Sequence, residues 1–173
     1  MGAIEAAAVG DIVSFGPYEW LVIAKEDSRA MLITRDSIDQ GTKYNETMGR
    51  TYWENCTLRT WLNSEFLERF AEADRNRILQ VEVGDSGNPK FELDGGNATH
   101  DKVFCLSAKE AKALMDDDQR KASANWWIRT PGYVSMHAVC VFSDSGGVYL
   151  DGYSVNTGNF AIRPALWVSC EGV

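Results

Sequence analysis

The apolar residues of this chain follow two different spacings, and the change between them limits the folds that it can adopt. Residues 11–15, 19–24 and 30–34 are short apolar runs separated by turn residues, which is typical of antiparallel strands. After Cys56 the apolar residues recur every three or four positions, the period of a helix with one buried face. These residues are Leu58, Trp61, Leu62, Phe66 and Phe70, with Thr57 available as a helix cap. Strands followed by helices predict an α+β fold.

The middle of the chain predicts two more helices and one long loop. Residues 72–79 favour a short helix, and residues 108–115 favour another that begins after the capping residue Ser107. Residues 84–99 are rich in Gly, Asn and Asp, so we expect a loop there. The sequence thus predicts two or three helices in all.

The remaining apolar runs predict further strands. One lies at residues 102–107, and the chain after residue 126 reads as β-structure throughout. The runs at 19–24 and 163–168 are apolar enough to be central strands, so we expect the first and last strands to lie close together. The predicted architecture is a mixed, mostly antiparallel sheet with helices packed against it.

Composition favours one domain and disfavours several partners. The 173 residues are 45% hydrophobic, and no linker-like or charge-rich block divides them, so residues 1–173 are predicted to form a single core. A net charge of −8 argues against nucleic acid. No apolar run approaches the ~20 residues of a membrane span, and the start lacks the basic and apolar regions of an export signal. We therefore expect no membrane insertion and no signal peptide in this chain, with a location on a virion or cell surface as part of a larger assembly, or in the cytoplasm, left open.

The segment 133–160 has an unusual composition. Its 28 residues include 3 Tyr, 4 Ser, 4 Gly and 2 Asn, with Asp144 and Asp151 as its only charges and no Lys, Arg or Glu. Binding loops favour these residues because Tyr provides rigid contact area and small residues adapt. Tight hairpins would favour Gly, Asn and Ser as well. Composition alone leaves both interpretations open.

Five ordered motifs resemble those of a bacterial and phage domain family of unknown function, over about residues 9–168. The family typically has FGxYxW, LRxWLN, DKVFLLS, WWLRSPG and GVRPALW, and this chain has FGPYEW, LRTWLN, DKVFCLS, WWIRTPG and AIRPALW. Thr130, Ala161 and Ile162 are mild departures from that pattern. The resemblance implies a C-type-lectin-like fold of the variety shared with formylglycine-generating enzymes.

The same resemblance implies a non-catalytic, receptor-like module. Some proteins with this fold are variable proteins of diversity-generating retroelements, whose variable residues lie between a WW-containing strand and the closing strand, here residues 133–160. The expected partner is a protein or glycan on a cell or virion surface, with no cofactor. Two alternatives stay open: a metal-dependent oxidase of the formylglycine-generating type, and a purely structural module of a surface or virion protein.

The alternation within residues 133–160 separates inward from outward positions. Ala138, Val139, Val141, Val148 and Val155 are predicted to face inward or along the sheet. The more exposed set, predicted to bind the ligand, is Tyr133, Ser135, Met136, His137, Cys140, Phe142, Tyr149, Asp151, Tyr153, Ser154, Asn156, Thr157, Asn159 and Phe160. Exposed aromatic residues grouped on one face favour a recognition surface.

Several other residues have a structural and a chemical interpretation. One of Trp126 and Trp127 should fill the core while the other partly covers it. Arg129 and Arg163 lie in apolar strands, so they should bind backbone carbonyls or acids. His137 with Cys140 or Asp151 could form a catalytic or metal-binding group, although coincidence is the favoured interpretation.

The cysteines and one acidic turn complete the candidate sites. Four isolated cysteines, with no CxxC pair, favour reduced and buried thiols over a zinc site. The paired cysteines of formylglycine-generating enzymes are represented only by the isolated Cys140 and Cys170, and the calcium signatures EPN and WND of sugar-binding lectins are missing. Residues 94–97 could offer oxygen ligands to calcium, but a turn explains them equally well. We predict no metal.

Overall fold

A large antiparallel sheet joins the two ends of the chain. The computed structural model describes residues 3–171. The strands of this sheet are β1 Ile12–Phe15, β2 Tyr18–Lys25, β3 Arg29–Thr34, β4 Ile78–Leu79, β7 Val103–Phe104 and β11 Ala165–Ser169. They lie in the order β1-β2-β3-β11-β4, with β7 also paired to β11. Strand β11 pairs with β3 through Leu166 and Leu32 on one side, and with β4 and β7 on the other.

Two smaller antiparallel sheets account for the other strands. One contains β8 Trp126–Pro131, β9 His137–Val141 and β10 Val148–Ser154, in the order β10-β9-β8. The other pairs β5 Val81–Val83 with β6 Thr99–Asp101. The α+β class and the antiparallel character are therefore confirmed, but the strands form three sheets instead of the single sheet that was predicted. The first and last strands lie in one sheet, with only β3 between β2 and β11, so the prediction that they lie close together is confirmed.

Residues 3–171 contain five short α-helices, of which the first precedes β1 and the others lie between strands. They are α1 Ala3–Ala6, α2 Thr57–Leu62, α3 Glu72–Arg77, α4 Ala108–Leu114 and α5 Asp117–Arg120. The predicted capping role of Ser107 is confirmed, because its hydroxyl accepts from the Glu110 backbone N–H at 3.1 Å. Helices α1 and α5 were not predicted, since four residues are too few to show a helical period. None of the helices in residues 3–171 is long and apolar enough to cross a bilayer.

Helix α2 ends earlier than the apolar spacing predicted. It stops at Leu62, and the next residue, Asn63, uses its side chain to bind the backbone of Lys102 and Val103 instead of continuing the helix. Phe66 and Phe70 are nevertheless buried, because a 3₁₀ turn carries the chain back to the core. The cap is also different: the Cys56 sulfur, not Thr57, accepts from the Arg59 N–H at 3.4 Å.

Both tryptophans of the WW pair are fully buried, so the prediction that one of them only partly covers the core is wrong. Trp126 and Trp127 are each 0% exposed, because every residue of β8 is buried and the strand is covered on both faces. Their indole N–H groups donate to the carbonyls of Arg120 and Thr42, at 3.0 and 2.8 Å. Strand β8 is therefore buried on both faces, although it lies at one edge of its sheet.

Arg129 and Arg163 are buried and bind backbone carbonyls, as predicted. Arg163 donates to the carbonyls of Thr34, Arg35 and Gln119 at 2.7–3.0 Å. Arg129 donates to the carbonyls of Gly84 and Cys105 and to the carboxylate of Glu110. Burial lowers the pKa of the Arg163 guanidinium to about 10, so it stays charged at neutral pH and needs these acceptors.

Candidate functional site

Strand β10 lies at one edge of the three-stranded sheet and presents two tyrosines on one face. Tyr149 pairs with Cys140 and Tyr153 pairs with Ala138 on β9. Ala138 and Cys140 are two positions apart, so their side chains and those of their partners lie on the same face. Trp127 pairs with Cys140 from the other side and shares this face.

The aromatic rings on this face form a continuous row. Phe142, Tyr149, Tyr153 and Phe160, which we call the aromatic row, lie in that order with centroid separations of 5.0, 5.5 and 5.2 Å. Phe160 then meets the buried ring of Trp127 edge to face at 4.6 Å, a favourable geometry for aromatic pairs. Tyr153 is 41% exposed and Phe160 only 4%, so the part of the row from Tyr153 to Phe160 runs from solvent into the core.

A bulge in β10 brings the two tyrosines together. The register shifts between Tyr149 and Tyr153, and Gly152 lies within this shift with a φ of +70°, a conformation that glycine adopts without strain. A Cβ atom on Gly152 would also collide with the Ala138 carbonyl. Glycine at this position thus allows the bulge that brings the two rings next to each other on their shared face.

Replacing Gly152 with alanine should therefore destabilise the protein by about 1–3 kcal/mol and disturb the aromatic row. Gly158→Ala is the matched control, because a Cβ there meets only ordinary contacts at 3.9 Å and its φ is not left-handed. Thermal melting of both variants checks the prediction. Equal melting temperatures for the two would show that the bulge does not require glycine.

A second group of residues lies at the start of the segment, where the long loop of residues 84–99 contacts the sheet. The Tyr133 ring lies 4.8 Å from that of His137 and 6.1 Å from that of Phe91. The Lys90 ammonium binds the Asp151 carboxylate at 2.5 Å. We call these five residues the loop-side cluster. Ser154 pairs with His137, so His137 projects from the face opposite to the aromatic row.

Most of the predicted ligand-binding residues therefore belong to these two groups or to the turn that follows β10. In that turn the Ser154 hydroxyl donates to the Asn156 side-chain oxygen at 2.7 Å, and the Thr157 N–H donates to the Ser154 carbonyl at 3.0 Å. Tyr133, Met136, Tyr153 and Asn159 are exposed. The partly exposed positions are Ser135, His137, Phe142, Tyr149, Asp151, Ser154, Asn156 and Thr157.

Two of the predicted positions are not exposed. Cys140 is 0% exposed because β9 is the central strand of its sheet, paired with Trp127 on one side and with Tyr149 on the other. Phe160 is buried against Trp127. The prediction of exposure is wrong for both, and Val148, predicted to face inward, is only half-buried. Ala138, Val139, Val141 and Val155 are buried as predicted.

The hypothetical grouping of His137 with Cys140 is not formed. The two side chains lie three positions apart on one strand and so project from opposite faces, and burial raises the pKa of the Cys140 thiol to about 12. Asp151 is already paired with Lys90, and Cys170 follows β11 in the other sheet. Within residues 3–171, no three His, Cys, Asp or Glu side chains are grouped to hold a metal ion.

The acidic turn at residues 94–97 is bound to a neighbouring segment. The Asp94 carboxylate accepts from the Gly96 N–H at 2.7 Å, as in an Asx turn. The backbone and side-chain nitrogens of Asn97 donate to the Glu54 carboxylate at 3.0 and 3.1 Å. These bonds account for the polar residues of the turn.

Sequence reasoning missed the contribution of the long loop. Its buried Asn88 donates to the carbonyls of Leu150 and Pro131, at 2.7 and 2.9 Å, and so fixes the loop to the ends of β10 and β8. Lys90 and Phe91 are thereby brought to the surface of residues 133–160. The one available signal was Phe91 itself, the single aromatic residue in an otherwise polar loop.

Comparison with known proteins identifies the family of the chain. No curated protein and no solved structure matches this sequence. One family model does match, described as a domain of unknown function (DUF6273), and the match covers residues 28–170. That range includes the strands from β3 to β11, the aromatic row and the loop-side cluster. The chain therefore belongs to the DUF6273 domain family.

Proposed function

We propose that this protein is a non-catalytic binding module, and that residues 133–160 together with Lys90 and Phe91 form the surface that recognises a protein or glycan ligand. The observation that carries the proposal is the aromatic row. Half-buried and exposed rings stand side by side on one face, and the innermost ring rests on Trp127. Exposed aromatic groups of this kind are common at interaction sites.

Tyrosine suits this role because of its physical properties. The side chain has few rotatable bonds, so little conformational entropy is lost on binding, and its hydroxyl can both donate and accept. Tyr149 and Tyr153 are further restrained by each other and by Phe142 and Phe160. A surface with rings already held in place loses less free energy on association.

The charge of the surface favours a contact that depends little on ion pairs. Residues 133–160 contain only Asp144 and Asp151 as charged side chains, and Asp151 is paired with Lys90. Exposed ion pairs weaken with added salt, whereas aromatic and apolar contacts do not. We therefore expect the affinity for the ligand to change little with ionic strength.

The supporting backbone is fixed by bonds from outside the segment. The Asn45 N–H donates to the Val155 carbonyl at 2.8 Å, and the Thr51 N–H donates to the Ser135 carbonyl at 2.9 Å. Asn88 fixes the opposite side. With the backbone of residues 133–160 fixed in this way, we expect its exposed side chains to change without loss of the fold, so that folding and recognition depend on different residues.

We also propose that the fold is C-type-lectin-like, of the formylglycine-generating-enzyme variety, and that the exposed positions are ones diversified by a retroelement. The large sheet that contains both the first and the last strand, together with the separate three-stranded sheet, supports the first part. The exposed and half-buried side chains among residues 149–159, between strands β9 and β11, support the second. A reverse transcriptase gene and a near-repeat of the 3′ coding region beside this gene are the expected genomic observation.

Loss of the exposed Tyr153 ring should weaken recognition without unfolding the protein. Tyr153→Ser should weaken binding to the native ligand by about 2 kcal/mol if Tyr153 fills a partner pocket. Ile12→Ser is the matched control, because Ile12 is also 41% exposed but lies on the edge strand β1 of the large sheet. Both variants can be displayed and scored for binding to a panel of bacterial cells. If Ile12→Ser reduces binding and Tyr153→Ser does not, the recognition surface lies elsewhere.

A further inference from the structure

A separate cavity of about 500 Å³ lies between helix α2 and the loop of residues 41–46. Its volume is within the ordinary range for small-molecule sites. Its main lining residues are Thr42, Lys43, Glu46, Thr57, Leu58 and Trp61. We call it the Trp61 cavity.

The walls of the Trp61 cavity are joined by hydrogen bonds. The Glu46 N–H donates to the Thr57 hydroxyl oxygen at 3.0 Å, and the Thr57 N–H donates to the Asn45 side-chain oxygen at 2.9 Å. On the other side the Thr42 N–H donates to the Phe160 carbonyl at 2.9 Å. The loop is therefore fixed at both ends, and the cavity has a defined shape.

Trp61 differs from most tryptophans of the chain. The indole N–H groups of Trp20, Trp53, Trp126 and Trp127 all have acceptors within the protein. Trp61 is only half-buried, and its N–H has no acceptor among the residues that the structure describes. The N–H is thus available to an acceptor on a ligand.

The orientation of the Trp61 ring is set by its neighbours. The Arg69 guanidinium lies over it, 5.1 Å from the ring centroid, and the Phe66 ring lies 5.7 Å away. Arg69 is itself bound by both carboxylate oxygens of Asp39, at 3.0 and 2.7 Å. Because Trp61 lines the cavity, a ligand there would meet an aromatic side chain that Arg69 and Phe66 hold in place.

The polar groups of the cavity alternate between donors and acceptors. The Thr57 hydroxyl accepts from Glu46 and keeps its own proton to donate, while the Thr42 hydroxyl donates to the Asp39 carbonyl and keeps its lone pairs. The Lys43 ammonium and the Glu46 carboxylate lie 3.6 Å apart at the rim. Because the two charges are opposite, neither an anion nor a cation is favoured by the site as a whole.

We propose that the Trp61 cavity binds one neutral sugar ring. A pyranose offers an apolar C–H face to the indole and hydroxyls that donate and accept around its edge, which matches the groups described above. The proposal does not rest on the proposed function, since none of the residues that bind the ring belongs to the aromatic row. The shared contact between Thr42 and Phe160 makes the two sites neighbours.

Nuclear magnetic resonance of the ¹⁵N-labelled full chain tests the proposal. The probes are the methyl glycosides of glucose, galactose, mannose and N-acetylglucosamine, with acetate and methylammonium as charged controls at matched ionic strength. At least one glycoside should shift the Trp61 indole resonance and the Glu46 and Thr57 amide resonances, with millimolar affinity. The Trp20, Trp126 and Trp167 indole resonances should not move. Absence of any shift at the Trp61 cavity, or an equal shift with acetate or methylammonium, would overturn the proposal.

Three substitutions separate the role of Trp61 in ligand binding from the effect of replacing any partly exposed aromatic residue. Trp61→Phe removes the N–H and reduces the ring, so the affinity followed at the Glu46 and Thr57 amides should fall about tenfold. Trp167→Phe changes the other tryptophan whose N–H has no acceptor within residues 3–171, and it should leave the affinity unchanged. Tyr153→Ser should also leave it unchanged, which distinguishes this site from the recognition surface. Unaltered affinity in Trp61→Phe would contradict the proposal.

Discussion

Replacing Trp127 with alanine should lower the free energy of unfolding by about 3–5 kcal/mol, a large part of the 5–15 kcal/mol that a typical domain possesses. The ring is fully buried, and its centroid lies 5.7 Å from that of Tyr44 and 4.6 Å from that of Phe160. Its N–H donates to the Thr42 carbonyl. Its removal leaves a cavity, an unpaired carbonyl and an unsupported Phe160. Denaturant unfolding of the purified variant measures the loss.

Trp61→Ala is the matched control for this prediction. Trp61 has the same volume but is half-buried, and no hydrogen bond within residues 3–171 holds its N–H. Its replacement should cost clearly less than that of Trp127. If Trp127→Ala melts at the temperature of the parent protein, the ring is not part of the core and the aromatic row has no internal support.

Replacing Arg163 with methionine should cost about 3 kcal/mol or more, even though methionine has a similar length. Arg163 is 1% exposed and donates to three backbone carbonyls from two separate segments. The substitution removes the donor from the buried Thr34 carbonyl and from the part-buried Arg35 and Gln119 carbonyls, and each buried group left unpaired costs about 1–3 kcal/mol. Denaturant unfolding again provides the measurement.

Arg35→Met is the control for Arg163→Met. Arg35 forms an ion pair with Glu19 in which both side chains are 58% exposed, and such surface pairs contribute about 0–1 kcal/mol. A small loss at Arg35 and a large loss at Arg163 would support the role of the buried guanidinium. Comparable losses would show that the three carbonyls find other donors, such as water.

Local sequence signals predicted the parts of the fold that depend on neighbouring residues. Ser107 lies where a helix cap was expected, and the first strands follow their apolar runs because these runs are bounded by turn residues. The buried arginines were predicted for a physical reason: an isolated guanidinium in an apolar strand must find acceptors. The identities of those acceptors, such as Gln119 and Gly84, come from distant segments and could not be read from the sequence.

The larger errors concern contacts that are distant in sequence. Helix α2 was predicted to reach Phe70, but Asn63 binds the backbone at Lys102 and Val103 and ends it. Cys140 was predicted to be exposed because alternation alone cannot tell a central strand from an edge strand. Both tryptophans of β8 are buried because this strand is covered on both faces, which depends on the packing of the whole chain.

The candidate surface was predicted in outline, and its internal arrangement was not. The composition of residues 133–160 indicated an unusual segment, but the pairing of Tyr149 with Tyr153 depends on the bulge at Gly152. An unbroken two-residue alternation would have placed Asp151 between the two tyrosines on the same face. The bulge instead leaves Asp151 beside Lys90 and Tyr133.

The central proposal is that recognition and folding are carried by different residues. Its most direct test is a displayed library with Tyr149, Asp151, Tyr153, Asn156 and Asn159 randomised together, scored for melting temperature and for binding to whole bacterial cells. Because surface substitutions usually change stability by within about 0.5 kcal/mol each, most members should fold cooperatively, and selection should recover members with altered cell binding. If most members fail to fold, residues 149–159 belong to the core and the proposed recognition surface does not exist.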